Sequence, residues 1–452
     1  MKITTQLDSD NIRGLVLGLA VPSMVAQFVS VLYSIVDRMY IGNIPVIGET
    51  ALAGVGICGP IVTMIAAFSS LIGIGGGPLV SIKLGEKKED AAEEILSNCF
   101  VFLIGIAVIV MLISYSLKKH LLYWFGASEN VFPYAEQYMT IYLAGTLFAI
   151  LSTGMNEFII CQGYSKTAMH SVLIGAVSNI ILDPIFIFVL KMNVAGAALA
   201  TVLSQLISCI FVLRFLFSGH AALRIRPVRP DLHILGRVCM VGLTPFLIIA
   251  FDNVMLIALN SAITKHGGAD GDMLLTCNTI LQSFMLIITM PLSGITGGTQ
   301  PILGYNYGAQ RADKIKKAQK EILLVCLIYC TAGFVTAQLF PQYFIYIFTR
   351  DPKYIEMTKS IIRLYTIGVP FLAIQYEVVD GFTGLGIYKY AFPLSAFRKI
   401  LYFACVFIIP SFMTIGDVFL CEPISDIIGA ACSTIFYLTV GRRFLNNIKS
   451  AT

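Results

Sequence analysis

Eight ionisable side chains stand out because each lies inside a long apolar run: Asp37, Glu157, Asp183, Asp252, Glu377, Asp380, Arg398 and Lys399. A charge in the middle of a hydrocarbon layer costs about 2.5–3.5 kcal/mol on insertion scales and usually marks function. Asp183 sits in Asn179-Ile180-Ile181-Leu182-Asp183-Pro184. Asn179 and Asp183 are i and i+4, so one helix face carries both. Pro184 donates no N–H and disfavours helix at the residue before it, so a bend is predicted there. The bend frees a carbonyl oxygen beside the carboxylate and amide oxygens. That set suits Na⁺, or a carboxylate pair sharing a proton; the plainer reading is an Asp that satisfies the backbone Pro184 leaves open. Asp37 ends the apolar part of its run and can equally pair with Arg38 at a membrane interface. Glu377 and Asp380 are i and i+3, and Asp252 lies in Phe251-Asp252-Asn253. These acids, with Glu157, can bind a cationic substrate, relay protons, or neutralise Arg398 and Lys399. Thr201 follows the small-residue stretch Gly196-Ala197-Ala198-Leu199-Ala200, which allows close helix approach; its hydroxyl is a ligand or an ordinary helix contact.

Other chemistry finds no support. The glycines at 73, 75, 76 and 77 precede Pro78 without the GK[ST] of a phosphate loop. The 11 cysteines form no CxxC pair and the 5 histidines no metal spacing. No nucleophile triad and no nucleotide-binding domain is recognisable, so neither an enzyme nor a cofactor is expected, and uphill transport would run on an ion gradient.

The elements that must hold these residues are membrane helices. The chain is 57% hydrophobic and 13% charged, against roughly 25% charged for a soluble domain. Residues 51–82, 192–213 and 273–310 contain no charge at all, and about 20 apolar residues suffice to span a bilayer. Backbone groups in lipid must pair internally, and no alternation of the β-barrel kind appears, so the spans are helical. Twelve are predicted: 14–42, 51–82, 95–117, 134–156, 167–190, 193–217, 238–263, 273–303, 321–348, 361–387, 390–415 and 423–445. An even number puts both termini on one side. Placing them in the cytoplasm puts 20 basic residues inside and 9 outside, in line with the positive-inside bias. The basic run Arg224–Arg237 then reads as a cytoplasmic linker interrupted by Pro227 and Pro230, touching anionic lipid rather than nucleic acid.

A shift of 223 residues superimposes the stretch from the first span to the start of the fifth on its counterpart in the second half. Pro22 falls on Pro245, Ser70 on Ser293, Gly85 on Gly308, Phe125 on Phe348, Gly145 on Gly368, Gly163 on Gly386, and Glu157 on Asp380. Six spans separate equivalent positions, so the halves are parallel repeats about an axis along the membrane normal, able to enclose a cavity and rock against each other. The expected fold is an all-α polytopic membrane protein with an N-terminal six-helix lobe (1–220), a linker (221–236) and a C-terminal six-helix lobe (237–452).

With these stretches in view the chain resembles the MATE family, the multidrug and toxic compound extrusion transporters. The resemblance rests on Ala20-Val21-Pro22, on Val36 to Gly42 followed by Ala51 to Val55, on Asn179 to Phe186, on Gly196 to Thr201 and on Pro301 to Ala309. It implies an antiporter that exports organic, often cationic, drugs against Na⁺ or H⁺ entry, by alternating access, as a monomer in the bacterial plasma membrane. It also implies cation ligands at Asp37, Asn179, Asp183 and Thr201, with Tyr33 close by. A second branch of the family uses acids on the seventh and tenth helices; Asp252 resembles the former, while Glu377 and Asp380 lie near the latter position without matching its register. Two other readings stand beside this one. A flippase for a lipid-linked precursor would need a cationic cavity, for which only Arg398 and Lys399 are available. A receptor without transport would leave the two-fold repeat unexplained.

Overall fold

The computed structural model describes residues 7–219, 221–266, 268 and 271–448. Among them every regular element is helical. In chain order the membrane helices are α1 (Ile12–Gly42), α2 (Gly48–Gly85), α3 (Glu89–Trp124), α4 (Phe132–Ala144 with Thr146–Ile160), α5 (Ser165–Val189) and α6 (Asn193–Phe217). The second half follows with α7 (Leu232–His266), α8 (Gly271–Gly308), α9 (Ala312–Leu339), α10 (Pro352–Gly384), α11 (Tyr388–Phe412) and α12 (Ile415–Asn446). Most run past their apolar stretches. α3, for example, starts at Glu89, where Glu89 and Asp90 favour a helix N-terminus. The predicted ninth span through residue 348 is too long at its C-terminal end. Its helix stops at Leu339 and a separate short helix, Pro341–Ile345, begins at a proline that has no N–H to continue α9.

α4 is bent by 57° at Gly145. α10 breaks at the position 223 residues on, where Thr366–Gly368 forms a 3₁₀ turn. Glycine is required at both breaks because another helix passes there. A Cβ on Gly145 would lie 2.5 Å from Val202 of α6, and one on Gly368 2.8 Å from Pro423 of α12. The first half of α4 is thereby swung against α6. In α5, where a bend is predicted at Pro184, the helix continues as π-helical turns over Ile185–Val189. The missing proline N–H shifts the hydrogen-bond pattern rather than ending it.

The two halves meet where backbone passes backbone. A Cβ on Gly242 of α7 would overlap the Leu71 carbonyl of α2, and one on Gly75 the Val238 carbonyl. Gly85 lies against the Tyr305 carbonyl and Gly308 against that of Ile82, a pair of crossings that the 223-residue shift interchanges. Gly294 and Gly298 of α8 receive Ser23 of α1. All these crossings fall in the halves of α1, α2, α7 and α8 nearest the chain termini, so the bundle is shut at that end. Ion pairs cover the closure: Asp8 with Arg311, Asp10 with Lys314 at 2.8 Å and Arg13 with Glu321 at 4.0 Å. The segment between the halves is bound to α3 rather than loose. The backbone N–H groups of Arg224, Arg226 and Asp231 donate to Glu93, Ser97 and Asn98, and that of Leu223 to Gln162.

Candidate functional site

The N-terminal half gathers Tyr33 and Asp37 from α1, Asn179 and Asp183 from α5 and Thr201 from α6. Asn179 and Asp183 are fully buried, and the Asn179 amide donates to Asp183 Oδ1 at 3.4 Å. The Asp37 and Asp183 carboxyl groups lie within hydrogen-bonding reach of each other. Tyr33 is in electrostatic range of both. Three oxygens there are buried with no hydrogen-bond partner among the described residues: Asp37 Oδ1, Asp183 Oδ2 and Asn179 Oδ1. Arg38 is exposed and lies in electrostatic range of Asp37 without a salt bridge between them. Two carboxyl groups this close cannot both remain charged without a compensating cation; either one proton is shared or a cation lies between them.

Why these residues meet follows from the helices that carry them. The small face of α6 lets its start run against α5, and a Cβ on Gly196 would sit 2.7 Å from the Phe186 backbone. Further along, Ser208 of α6 donates to the Ser171 carbonyl of α5 at 3.0 Å. The bent α4 supplies residues that the sequence reading passed over. Tyr138 is buried, comes within hydrogen-bonding reach of Thr201 and lies in electrostatic range of Asp37. Tyr142 comes within hydrogen-bonding reach of Gln205, whose Oε1 is a buried, unpartnered oxygen. Only the bend at Gly145 turns these tyrosines toward α6, and no local pattern around Tyr138 announces it.

The C-terminal half holds its charges differently. Lys399 is buried and pairs with Asp252, whose side chain is about half exposed. An ionisable side chain in a membrane helix usually faces the bundle interior or a water-filled cavity. Arg398 is buried with Glu422 at 3.2 Å and Asp426 at 2.7 Å. The sequence reading missed both acids, although Asp426 lies inside the predicted twelfth span and meets the same criterion as Asp252. Neutralisation of Arg398 and Lys399, one of the readings left open for the acids, therefore falls to Asp252, Glu422 and Asp426. Glu377 and Asp380 bind neither cation. Asp380 accepts a 2.5 Å bond from Thr296 of α8, and Glu377 Oε1 is buried without a partner. Arg398 is enclosed by two acids and Lys399 is paired with a third, which does not favour the cationic pyrophosphate site of a flippase.

The third region lies between the halves. Glu157 of α4 lines a small interlobe cavity with Gly73, Gly77 and Ser81 of α2 and Gln300 and Pro301 of α8.

Twelve membrane helices among the described residues, the bent α4 counted as one, in two related sets, closed at one end and carrying unpartnered buried carboxyl oxygens, define a polytopic membrane transporter. The family model MatE matches residues 22–185 and 249–408, once in each half, and the chain belongs to the MATE family of multidrug efflux transporters. It is similar to the multidrug export protein MepA of Staphylococcus haemolyticus, 24% identical over 76% of this chain and 75% of that protein. MepA of Staphylococcus aureus is 22% identical over the same shares. Among solved structures it resembles a MATE protein in complex with MaD3S (TM-score 0.90, 22% identity, 99% of both chains). It also resembles a multidrug resistance MATE transporter in an outward-facing conformation (TM-score 0.90, 22% identity, 99% of both). A MOP superfamily transporter from Pyrococcus furiosus, described as having a binding pocket of reversed polarity, has a TM-score of 0.91 at 22% identity over 99% of both chains.

Proposed function

We propose that this protein exports small organic cations from a bacterial cell across the plasma membrane, driven by entry of Na⁺ or H⁺ and working by alternating access. The observation that carries the reading is the Asp37–Asp183 carboxyl pair with its free buried oxygens. Asp37, Asn179 and Asp183 supply the oxygens that an entering cation meets, Thr201 and Tyr33 complete the surroundings, and Tyr138 stands beside Thr201. A cation or proton there removes the repulsion between the carboxyl groups, so loading favours the helix arrangement that brings α1 and α5 together. Drug binding favours another arrangement, and the two ligands are coupled through that difference in affinity.

The basic end carries both termini and is cytoplasmic by the positive-inside bias. The closed glycine crossings at that end make the present state one that opens outward. Rocking of the six-helix lobes, residues 1–220 and 237–452, about the axis between them would part the crossings and expose the cleft inward. Asp252, half exposed and tied to Lys399, is the acid best placed to meet a cationic drug.

Dye efflux from inverted vesicles tests the reading, with Na⁺ and pH gradients imposed separately. Asp183→Asn should reach the membrane in normal amounts yet lose gradient-driven efflux under the gradient that drives wild type. Normal efflux by Asp183→Asn removes the proposed site.

A further inference from the structure

Glu157 is used by nothing described so far. It makes no hydrogen bond or ion pair with any described residue, and the one ionisable group in electrostatic range is the buried thiol of Cys161. No charged side chain of α2, α3, α5, α6 or α8 is in electrostatic range of it; Cys99 of α3 is the further thiol beyond Cys161. Its cavity sits where α2 meets α8, on the axis that relates the halves. The lining residues Ile74, Gly77 and Pro78 are the counterparts of Gly297, Gln300 and Pro301 under the 223-residue shift.

The same shift shows why this acid is free while its counterpart is not. Asp380 is held by Thr296, but the residue matching Thr296 in the first half is Gly73, which has no hydroxyl. A Cβ on Gly73 would lie 2.9 Å from the Gly154 carbonyl and 3.1 Å from Glu157 Cγ, so packing forbids the threonine and leaves the carboxyl unbonded. The cavity admits about one water-sized occupant. A hard metal cation seeks about six oxygens, and besides Glu157 and the Gln300 amide the walls offer glycine, proline and isoleucine, with the Ser81 hydroxyl already spent on the Cys161 carbonyl at 3.0 Å.

We propose that Glu157 is a proton-binding site on the interlobe axis, loaded when the lobes close at the terminus-bearing end and emptied when they part. On closure a proton from the solvent forms an O–H bond on the carboxyl group, which then enters the cavity uncharged. On parting, water reaches the group and the proton returns to that side. Acid on the terminus-bearing side therefore favours closure, independently of the Asp37–Asp183 pair. The inference rests on the rocking motion of the proposed transport cycle.

The test uses the whole chain in nanodiscs with spin labels at Glu89→Cys and Lys320→Cys, exposed positions at the same end of the two lobes; none of the native cysteines is exposed. In wild type the ratio of parted to closed lobes should rise with pH, by at most about tenfold per pH unit for one proton. Glu157→Gln should stay closed with a flat pH profile, and Glu157→Asp should restore a pH response. Asp183→Asn should lose drug efflux yet keep that response. A response that survives in Glu157→Gln and vanishes in Asp183→Asn overturns the inference while leaving the proposed antiport standing. A flat profile in wild type also overturns it.

Discussion

The tightest crossing between the lobes provides a direct test of whether the closed end has to open during transport. In Gly242→Ala the added methyl would overlap the Leu71 carbonyl oxygen and stand 2.7 Å from its carbon and 3.0 Å from its Cα. All three are backbone atoms, so no side chain can turn aside, and α7 must move away from α2. Such overpacking costs about 1–3 kcal/mol. The cost falls on the closed state alone, because the parted lobes no longer make this contact. A penalty confined to one conformer lowers its population about 5- to 150-fold. Distances between labels on Glu89→Cys and Lys320→Cys should shift accordingly toward the longer, parted distribution, and efflux should fall because the outward-opening state is scarce. Gly56→Ala, where a methyl meets nothing within 4 Å, is the matched control and should behave as wild type. If Gly242→Ala leaves both the distance distribution and efflux unchanged, the crossing does not limit closure and the rocking model fails at its narrowest point.

Other outcomes follow from the same coordinates. Asp426→Asn leaves Arg398 buried with one acid instead of two, and loss of a buried partner costs about 3–5 kcal/mol; thermal aggregation of the purified protein should occur at clearly lower temperature, and an unchanged profile would show that Glu422 alone suffices. Tyr138→Phe removes the hydroxyl that comes within reach of Thr201 and should weaken cation binding several-fold, since a net hydrogen bond is worth about 0.5–1.5 kcal/mol; equal affinity in a binding titration would remove Tyr138 from the site. The exposed closure pairs should respond to salt but not to moderate pH. Lys314 holds the Asp10 carboxyl below its ordinary pKa of 3.8, mainly by hydrogen bonding. A lowered pKa means that its contribution is complete above 3.8 and is lost only as pH falls through the lowered value. Asp10→Asn should therefore weaken closure equally across neutral pH, and less so at high salt; a midpoint near neutrality in this contribution would contradict the assignment.

Composition and repetition made the architecture legible. Apolar runs longer than a bilayer can only be helices, because lipid offers the backbone no partners. One constant shift relating the halves, loops included, made them parallel repeats. In-span acids are rare enough that Asp37, Asp183 and Glu157 could be singled out without knowing where they point, and spacing alone placed Asn179 with Asp183. Tertiary structure decided which charges meet. Nothing local links Asp37 to Asp183, 146 residues apart in a chain of 452, or assigns Lys399 to Asp252 and Arg398 to Glu422 and Asp426. Those pairings depend on helix rotation and on which helices become neighbours, set by glycines such as Gly145, Gly196 and Gly242 that admit another backbone. The same cause separates Glu157 from Asp380: the repeat makes them equivalent in sequence, but a close helix approach at Gly73 excludes the hydroxyl that satisfies Asp380. Side-chain chemistry is written position by position, whereas the partner of a buried charge is fixed only when the helices pack.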